Sequence, residues 1–173
     1  MTRHVSLKNL PQFVIPSQAV DYTEAVLRDY GSRRFPREGF VYWGGSRNGD
    51  TSTIQLVIAP HLDPGFAGVR ISAMSNASVV EALSIRSMIE VAQVHTHPNG
   101  WVDHSCGDDR LAPFRISGLI SIVVPHFCKR GMLPLQVCGV HRFTQDSFER
   151  LSNYYVRRYF RIREGSAFFC DLR

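Results

Sequence analysis

Residues 38–60, EGFVYWGGSRNGDTSTIQLVIAP, constrain the fold more than any other stretch of the sequence. Two runs rich in apolar and β-branched residues flank SRNGD, an arrangement typical of two antiparallel strands joined by a turn. Elsewhere helical and strand-like patterns alternate along the chain, which favours a sheet whose strands are connected by helices packed on its faces. Together these patterns predict an α/β fold in which one mixed sheet is flanked by helices.

The remaining elements follow from the spacing of the apolar residues and from the residues that interrupt it. Apolar residues three or four apart predict helices, and short apolar runs bounded by Gly or Pro predict strands. Residues 60–78 are rich in Gly, Pro and Ser and are predicted to form a loop. Besides the strand pair, the predicted elements are helices at 17–31, 79–89 and 144–160 and strands at 90–97, 116–127 and 133–143.

The composition bounds the architecture and the cellular setting. A chain of 173 residues with 44% apolar residues can bury one core, so a single domain over 1–173 is expected. The net charge of +5 is modest, and it favours ordinary surface charge over a nucleic-acid-binding role. No run is apolar enough for a signal peptide or long enough for a membrane span, which predicts a cytoplasmic protein.

The four cysteines argue against one common kind of metal site. Cys106, Cys128, Cys138 and Cys170 contain no C-x-x-C pair, so a structural zinc site built from paired cysteines is not expected. Cys106 also lacks the flanking His/Asn arrangement that would support a thiol protease. The expectation is free thiols in a reducing compartment.

A different metal site is suggested near the middle of the chain. In a strand over 90–97, His95 and His97 point to the same face, because side chains two residues apart share a face. Pro98 stops the strand, the loop turns the chain back, and Asp108 arrives in the first turn of a short predicted helix. Two imidazoles, one carboxylate and an open fourth position form the ligand set of a catalytic zinc site.

Ser105 and Glu38 are the candidates for the remaining chemistry. Ser105 precedes Asp108 by three residues, which is the spacing of a helix capping box, and its hydroxyl could also bind a developing oxyanion. Hydrolysis needs a base as well, and Glu38, at the start of the first predicted strand, is one candidate. Spacing alone leaves Glu81 and Glu90 as alternatives, although both lie in or just after an amphipathic helix.

Taken together, these residues resemble the signature of the JAB/MPN metalloprotease family. The signature has a glutamate on an early strand, then His-x-His-Pro, then Ser-x-x-Asp after a fixed gap, and here ten residues separate His97 from Asp108. The resemblance covers about 18–142 and leaves 143–173 as a C-terminal extension of strand and helix. It implies a cytidine-deaminase-like mixed sheet. The matching residues are Glu38, His95, His97, Pro98, Ser105 and Asp108.

The resemblance implies a zinc-dependent isopeptidase that cleaves after the C-terminus of a ubiquitin-like protein, in precursor processing, deconjugation or both. In that activity His95, His97 and Asp108 would bind Zn²⁺. Glu38 would be the general base, and Ser105 would hydrogen-bond the oxyanion. The implied partners are the ubiquitin-like protein, its conjugates, and activating-like or conjugating-like proteins of a bacterial conjugation or anti-phage defence system.

The sequence also suggests where a substrate would lie, and it leaves other functions open. The walls of the groove are expected in the loops 60–78 and 99–107, with Trp101, Asp103 and His104 as candidate substrate contacts. One alternative is a non-catalytic module that binds a ubiquitin-like partner. Another is a DNA-associated protein of the RadC type, which would suit the positive charge. The H-E-x-x-H helix of other metalloproteases is absent.

Overall fold

The computed structural model of this protein describes residues 11–63, 68–112 and 114–173. Four helices and nine strands are formed in these ranges, with two short 3₁₀ turns at His126–Cys128 and Leu135–Val137. The helices are α1 (Ser17–Ser32), α2 (Ala73–Ser84), α3 (Cys106–Leu111) and α4 (Asn153–Tyr159). The strands are β1 (Gln12–Pro16), β2 (Phe40–Asn48), β3 (Thr51–Ala59), β4 (Ile89–Thr96), β5 (Ile120–Val124), β6 (Gly139–Phe143), β7 (Phe148–Arg150), β8 (Phe160–Arg163) and β9 (Phe168–Asp171).

The strands form one mixed sheet in the order β7-β6-β5-β4-β2-β3-β1-β8, with β9 pairing to β3 beside β1. Strand β2 runs antiparallel to both β3 and β4, whereas β4 and β5 are parallel. Helix α1 packs on β2 and β3, and α2 packs on β4. The predicted α/β fold, a mixed sheet flanked by helices, is therefore confirmed.

The hairpin of β2 and β3 behaves as its sequence predicts. Asn48 pairs with Thr51, and Gly49 in the turn has a φ of +55°, a backbone conformation that suits glycine in a two-residue turn. The register shifts at Gly44 and Gly45, where a Cβ on Gly45 would overlap the carbonyl oxygen of Thr53. The paired glycines therefore allow close contact between the two strands at a bulge.

The core lies between the central strands and helix α1. Trp43 on β2 is fully buried, and its indole Nε1 donates a 2.8 Å hydrogen bond to Thr23 Oγ1 on α1. Leu27 and Tyr30 of α1 are buried with it. This packing holds β2 against helix α1. Glu38 lies two residues before the first residue of β2.

The C-terminal region departs from the prediction. The helix expected at 144–160 is wrong, because α4 covers Asn153–Tyr159 only and β7 occupies part of the range. The extension over 143–173 was expected to contain strand and helix, but the two strands β8 and β9 were not located within it. Strand β8 pairs with β1, and β9 pairs with β3, so both depend on partners more than 100 residues away in sequence. Local periodicity cannot reveal such pairing.

Two other boundaries moved for local reasons. Helix α2 begins at Ala73, inside the predicted loop 60–78, because Ser72 caps it by accepting a 3.1 Å hydrogen bond from the backbone N–H of Ser75. Strand β1 went unnoticed because it is short and ends at Pro16, directly before α1. None of the helices in the described ranges has the length and apolar character needed to cross a membrane.

Candidate metal centre

Strand β4 delivers two histidines to the same point. His95 lies near the end of β4 and His97 directly follows it, with the two imidazole centroids 5.2 Å apart. The backbone N–H of His97 donates to the carbonyl of Val124, so the extended backbone continues past the last strand residue. Both residues are buried, at 3% and 4% exposure, as expected of residues that share one face of a central strand.

Helix α3 delivers the carboxylate. Ser105 caps the helix through its Oγ, which accepts a 3.0 Å hydrogen bond from the Asp108 backbone N–H. Asp108 Oδ2 accepts a 2.6 Å hydrogen bond from the Ser105 backbone N–H in return, which completes a capping box. The same carboxylate lies 3.7 Å from His95 Nε2 and 3.3 Å from His97 Nε2. The cap thus orients Asp108 toward the histidines.

The three side chains fit a metal ion. Their ligand atoms all lie within 4.8 Å of one another. Neither ring nitrogen of His95 has a hydrogen-bond partner among the described residues, although the ring is buried. Burying such a group without a partner is costly, and a metal ligand bond would satisfy it. His97 Nδ1 is bound to the carbonyl oxygen of Trp101 at 2.9 Å, which leaves Nε2 as the free ligand atom.

The electrostatics favour the ligating forms of His95 and Asp108. At His97 burial is outweighed by the hydrogen bonds with Asp108 and Trp101, which raise the pKa of the imidazole. Burial lowers the pKa of His95 to about 3, so its imidazole is neutral. Burial works against the Asp108 carboxylate, but the contacts from His97 and His95 outweigh it and hold the pKa of Asp108 well below its usual value. Neutral imidazole and ionised carboxylate are the states that bind a divalent cation.

Glu38 is held beside this cluster by the neighbouring strand. It lies two residues before β2 rather than on it, and its position is set by Gly39, which pairs with Thr96. The Gly39 backbone N–H donates to Thr96 Oγ1 at 2.9 Å, and the Thr96 N–H donates to the Gly39 carbonyl at 3.1 Å. Burial raises the pKa of Glu38 to about 7, so near neutral pH the carboxyl can both take up and release a proton.

A cleft of about 330 Å³ opens over these groups. Both loops expected to form its walls contribute to it, through Val69 on one side and Trp101 on the other. The alternative acids stand elsewhere: Glu81 is exposed on α2, and Glu90 lies at the opposite end of β4. The described residues lining the cleft are Glu38, Gly68, Val69, His97, Pro98, Asn99, Trp101, Ser105, Gly107 and Asp108.

The three candidate substrate contacts occupy different places. Trp101 lines the cleft, and its indole stacks on His97 with 5.2 Å between centroids and 12° between planes. Asp103 faces away and pairs with Arg150 at 2.6 Å. The His104 side chain is 3% exposed and lies beneath the site rather than in the cleft. The structure therefore places Trp101, and neither Asp103 nor His104, where a substrate could touch it.

The structure also reveals supporting residues that sequence reasoning missed. His126 and Phe127 have φ values of +55° and +52°, a left-handed conformation that is uncommon for residues other than glycine. Their backbone N–H groups donate to the carbonyls of Asn99 and His97, both at 2.9 Å. This strained turn holds the loop that follows the histidines. The residues of this turn with positive φ are not glycines, so the sequence contains no signal from which the turn could be predicted.

Comparisons with known proteins give one relative and one structural neighbour of note. No family model matches the chain. It is 29% identical over 132 residues to "Probable metalloprotease y4jG" of Sinorhizobium fredii (strain NBRC 101917 / NGR234), covering 72% of this chain and 77% of the relative. The solution structure of protein DSY2949 from Desulfitobacterium hafniense matches with a TM-score of 0.63 at 18% identity, covering 88% of this chain and 94% of the other. The latter likeness concerns the fold alone.

Proposed function

We propose that this protein is a zinc-dependent protease of the JAB/MPN type that cuts the amide bond after the C-terminus of a ubiquitin-like protein. The observation that carries the proposal is the convergence of His95, His97 and Asp108 on one point. Of these, His97 and Asp108 line a cleft that Glu38 also lines. Similarity to a relative named as a probable metalloprotease supports the broader statement that the protein is a metal-dependent hydrolase.

His95, His97 and Asp108 are the residues that would hold the metal. Two nitrogens and one carboxylate oxygen suit zinc better than magnesium or calcium, which prefer oxygen ligands throughout. When bound, zinc acts as a Lewis acid that polarises a carbonyl and makes a water molecule more acidic. The described ligand atoms leave a side of the cluster facing the cleft for that chemistry.

Glu38 moves the proton. A water molecule attacks the carbonyl carbon of the scissile amide, and the Glu38 carboxylate takes the proton that the water loses as its oxygen bonds to carbon. When the carbon–nitrogen bond breaks, Glu38 returns that proton to the departing amine nitrogen. At the end of the cycle the Glu38 side chain is again a carboxylate. Its pKa of about 7 suits both the uptake and the release of the proton.

Ser105 stabilises the charge that develops on the carbonyl oxygen. Its Oγ accepts the hydrogen bond from the Asp108 N–H, and its hydroxyl also hydrogen-bonds the Asp108 carboxylate, from which the proton would turn to the carbonyl oxygen. Ser105 lines the cleft next to Asp108, and its backbone position is fixed as the helix cap. A fixed donor aimed at a developing oxyanion contributes directly to the rate.

The shape of the cleft supports a flexible chain end as the substrate. A space of about 330 Å³ accommodates a short extended segment and excludes a folded domain. Trp101 on one side and Gly68 and Val69 on the other form its sides, which favours small residues near the cut bond. A ubiquitin-like tail has this character. Activating-like and conjugating-like proteins in the bacterial cytoplasm would be its natural partners.

The test is cleavage of fusion proteins in which a ubiquitin-like tail precedes a reporter peptide. The zinc-replete protein should release the reporter at the end of the tail, as read by intact mass. A chelator should stop the reaction, and added Zn²⁺ should restore it. Binding of the fusion without any cleavage would contradict the proposal and indicate the non-catalytic module. Cleavage that persists unchanged in chelated, metal-free protein would contradict the metal-dependent mechanism.

A further inference from the structure

A chain of hydrogen bonds runs from the buried face of the sheet to helix α3 beneath the metal centre. Gln93 Nε2 donates to Ser121 Oγ at 3.2 Å, and Ser121 Oγ lies 2.8 Å from His104 Nε2. His104 Nδ1 lies 3.1 Å from Asp109 Oδ1. Gln93, Ser121 and the His104 side chain are almost completely buried, whereas the Asp109 side chain at the end of the chain is 38% exposed.

The two ends of this chain lie on the two elements that carry the candidate ligands. Gln93 is on β4, two residues before His95 and therefore on the same face of the strand. Asp109 is on α3, directly after Asp108. The hydrogen bonds thus connect β4 to α3 by a second route, separate from the ligands themselves.

The donors and acceptors agree along the whole chain. The Gln93 amide donates to the Ser121 oxygen, and the Ser121 hydroxyl donates to His104 Nε2. His104 Nδ1–H then donates to the Asp109 carboxylate. One neutral tautomer of His104 satisfies both contacts, with Nδ1 carrying the hydrogen. Each link therefore has a partner of the correct kind.

Helix α3 needs such an anchor. It has six residues, too few for a helix to be stable or well placed without tertiary contacts. Of its described side chains, Asp108 faces the two histidines and Asp109 reaches His104. The contact between Asp109 and His104 therefore adds a side-chain link to the buried cluster beside the helix cap that orients Asp108.

We infer that His104 is a positioning residue that preorganises the metal centre by tying α3 to the sheet. The inference rests on the proposed metal centre, and it assigns His104 a role below the site instead of in the substrate groove. Its ring also packs edge-on against His95, with centroids 5.5 Å apart, so it supports one histidine ligand directly. Outer-shell groups that orient metal ligands commonly affect metal affinity by about 10- to 100-fold, which sets the scale of the effect expected here.

A neighbouring histidine supplies a matched control. His141 is 2% exposed and its ring lies 4.5 Å from that of His104. Neither of its ring nitrogens has a hydrogen-bond partner among the described residues. Replacing His141 therefore disturbs the same buried cluster without cutting the link to α3.

The experiment measures Zn²⁺ affinity by competition with a chromophoric chelator, together with thermal unfolding of each metal-free variant. His104→Leu should weaken Zn²⁺ binding about 10- to 100-fold, whereas His141→Leu should leave it within about threefold of wild type, since it cuts no link to α3. Unchanged affinity in folded His104→Leu protein would overturn the inference. An equal loss in His141→Leu would overturn it too, because the effect would then be general disturbance of the core.

The two ends of the chain provide further variants if His104→Leu does not fold. Ser121→Ala and Asp109→Ala each remove one link and should each weaken Zn²⁺ binding. Asp109→Asn keeps an acceptor oxygen for His104, so it should retain most of the affinity that Asp109→Ala loses. Equal losses in the Ala and Asn variants would show that the charge of Asp109 matters and not its hydrogen bond, against the inference. Wild-type protein that binds no Zn²⁺ would instead overturn the metal centre and the proposed function with it.

Discussion

The two ends of strand β4 each bury a polar group that has no hydrogen-bond partner among the described residues. At the start of the strand it is the carboxyl of Glu90, and at the other end it is the imidazole of His95. Around Glu90 lies a cavity of about 80 Å³ whose walls include Phe13, Val91 and Leu119. Around His95 lie a second imidazole, a carboxylate and a much larger cleft.

The difference between the two ends shows what distinguishes a metal site from an isolated buried polar group. An unpartnered group alone is a cost to folding, which the protein reduces by keeping the group neutral. At the histidine end, side chains from β4 and α3 converge on one point that is open to the cleft, so a metal can satisfy all of them together. At the Glu90 end no second ligand group converges among the described residues.

The largest expected effect comes from removing a ligand at the histidine end. His97→Ala takes away one of the three groups that would hold zinc. The purified variant should therefore contain much less than one zinc per chain. Elemental analysis of protein equilibrated with Zn²⁺ and then desalted measures this. Glu90→Gln, at the other end of the same strand, is the control and should retain one zinc per chain. One zinc per chain in His97→Ala would show that His97 is not needed to hold the metal, and would contradict the proposed difference between the two ends of β4.

The next effect separates proton transfer from metal binding at the same end. Glu38→Gln should keep zinc, because Glu38 lies beside the ligand cluster and is not a member of it. Turnover of a tail fusion should fall by about 10²- to 10⁴-fold, since the amide cannot take up the proton. Single-turnover rates of zinc-replete protein provide the measurement. Wild-type turnover in this variant would exclude Glu38 as the base.

A smaller effect is expected at Ser105, which has two roles. Ser105→Ala should lower turnover by about 10- to 1000-fold through loss of the oxyanion donor. It should also destabilise the protein by about 1 kcal/mol through loss of the helix cap. Ser105→Thr retains a hydroxyl and a capping oxygen and should stay much closer to wild type in both assays. Equal activity of the Ala and Thr variants would show that the hydroxyl plays no part in the reaction.

How much of this could be predicted from the sequence depends on the range of the interactions. The hairpin of β2 and β3 and the shared face of His95 and His97 follow from local patterns, which the sequence displays directly. The capping box of Ser105 and Asp108 is local as well, and the structure forms it. Choosing Glu38 over the other acids required the family resemblance, because its placement depends on Thr96.

The parts that escaped prediction depend on distant partners. His104 looks like a loop residue in the sequence, yet it is buried because Ser121 on β5 and Phe148 on β7 close over it. Strands β8 and β9 exist because β1 and β3 offer them free edges. Such features follow from tertiary contacts that override local preference.

The Glu90 end of the strand gives the last prediction, which concerns stability alone. Burial raises the pKa of the Glu90 carboxyl from about 4.5 to about 8. Between these values the unfolded chain has lost the proton while the folded protein retains it. Folding then takes up a proton, so the free energy of unfolding should fall as the pH rises from about 4.5 to 8 and level off above that. Glu90→Gln cannot ionise at this position and should lack the Glu90 part of the decline, whereas the smaller part from Glu38 remains in both proteins.

Urea denaturation of wild type and Glu90→Gln at pH 5 and pH 8 measures the difference. The two proteins should be similar in stability at pH 5, and the variant should be more stable at pH 8 by on the order of 3 kcal/mol. The same difference at both pH values would mean that the Glu90 carboxyl ionises in the folded protein as it does in the unfolded chain. Because Glu90 has no convergent ligand group beside it, the variant should gain this stability with no loss of zinc, whereas His97→Ala should lose the metal.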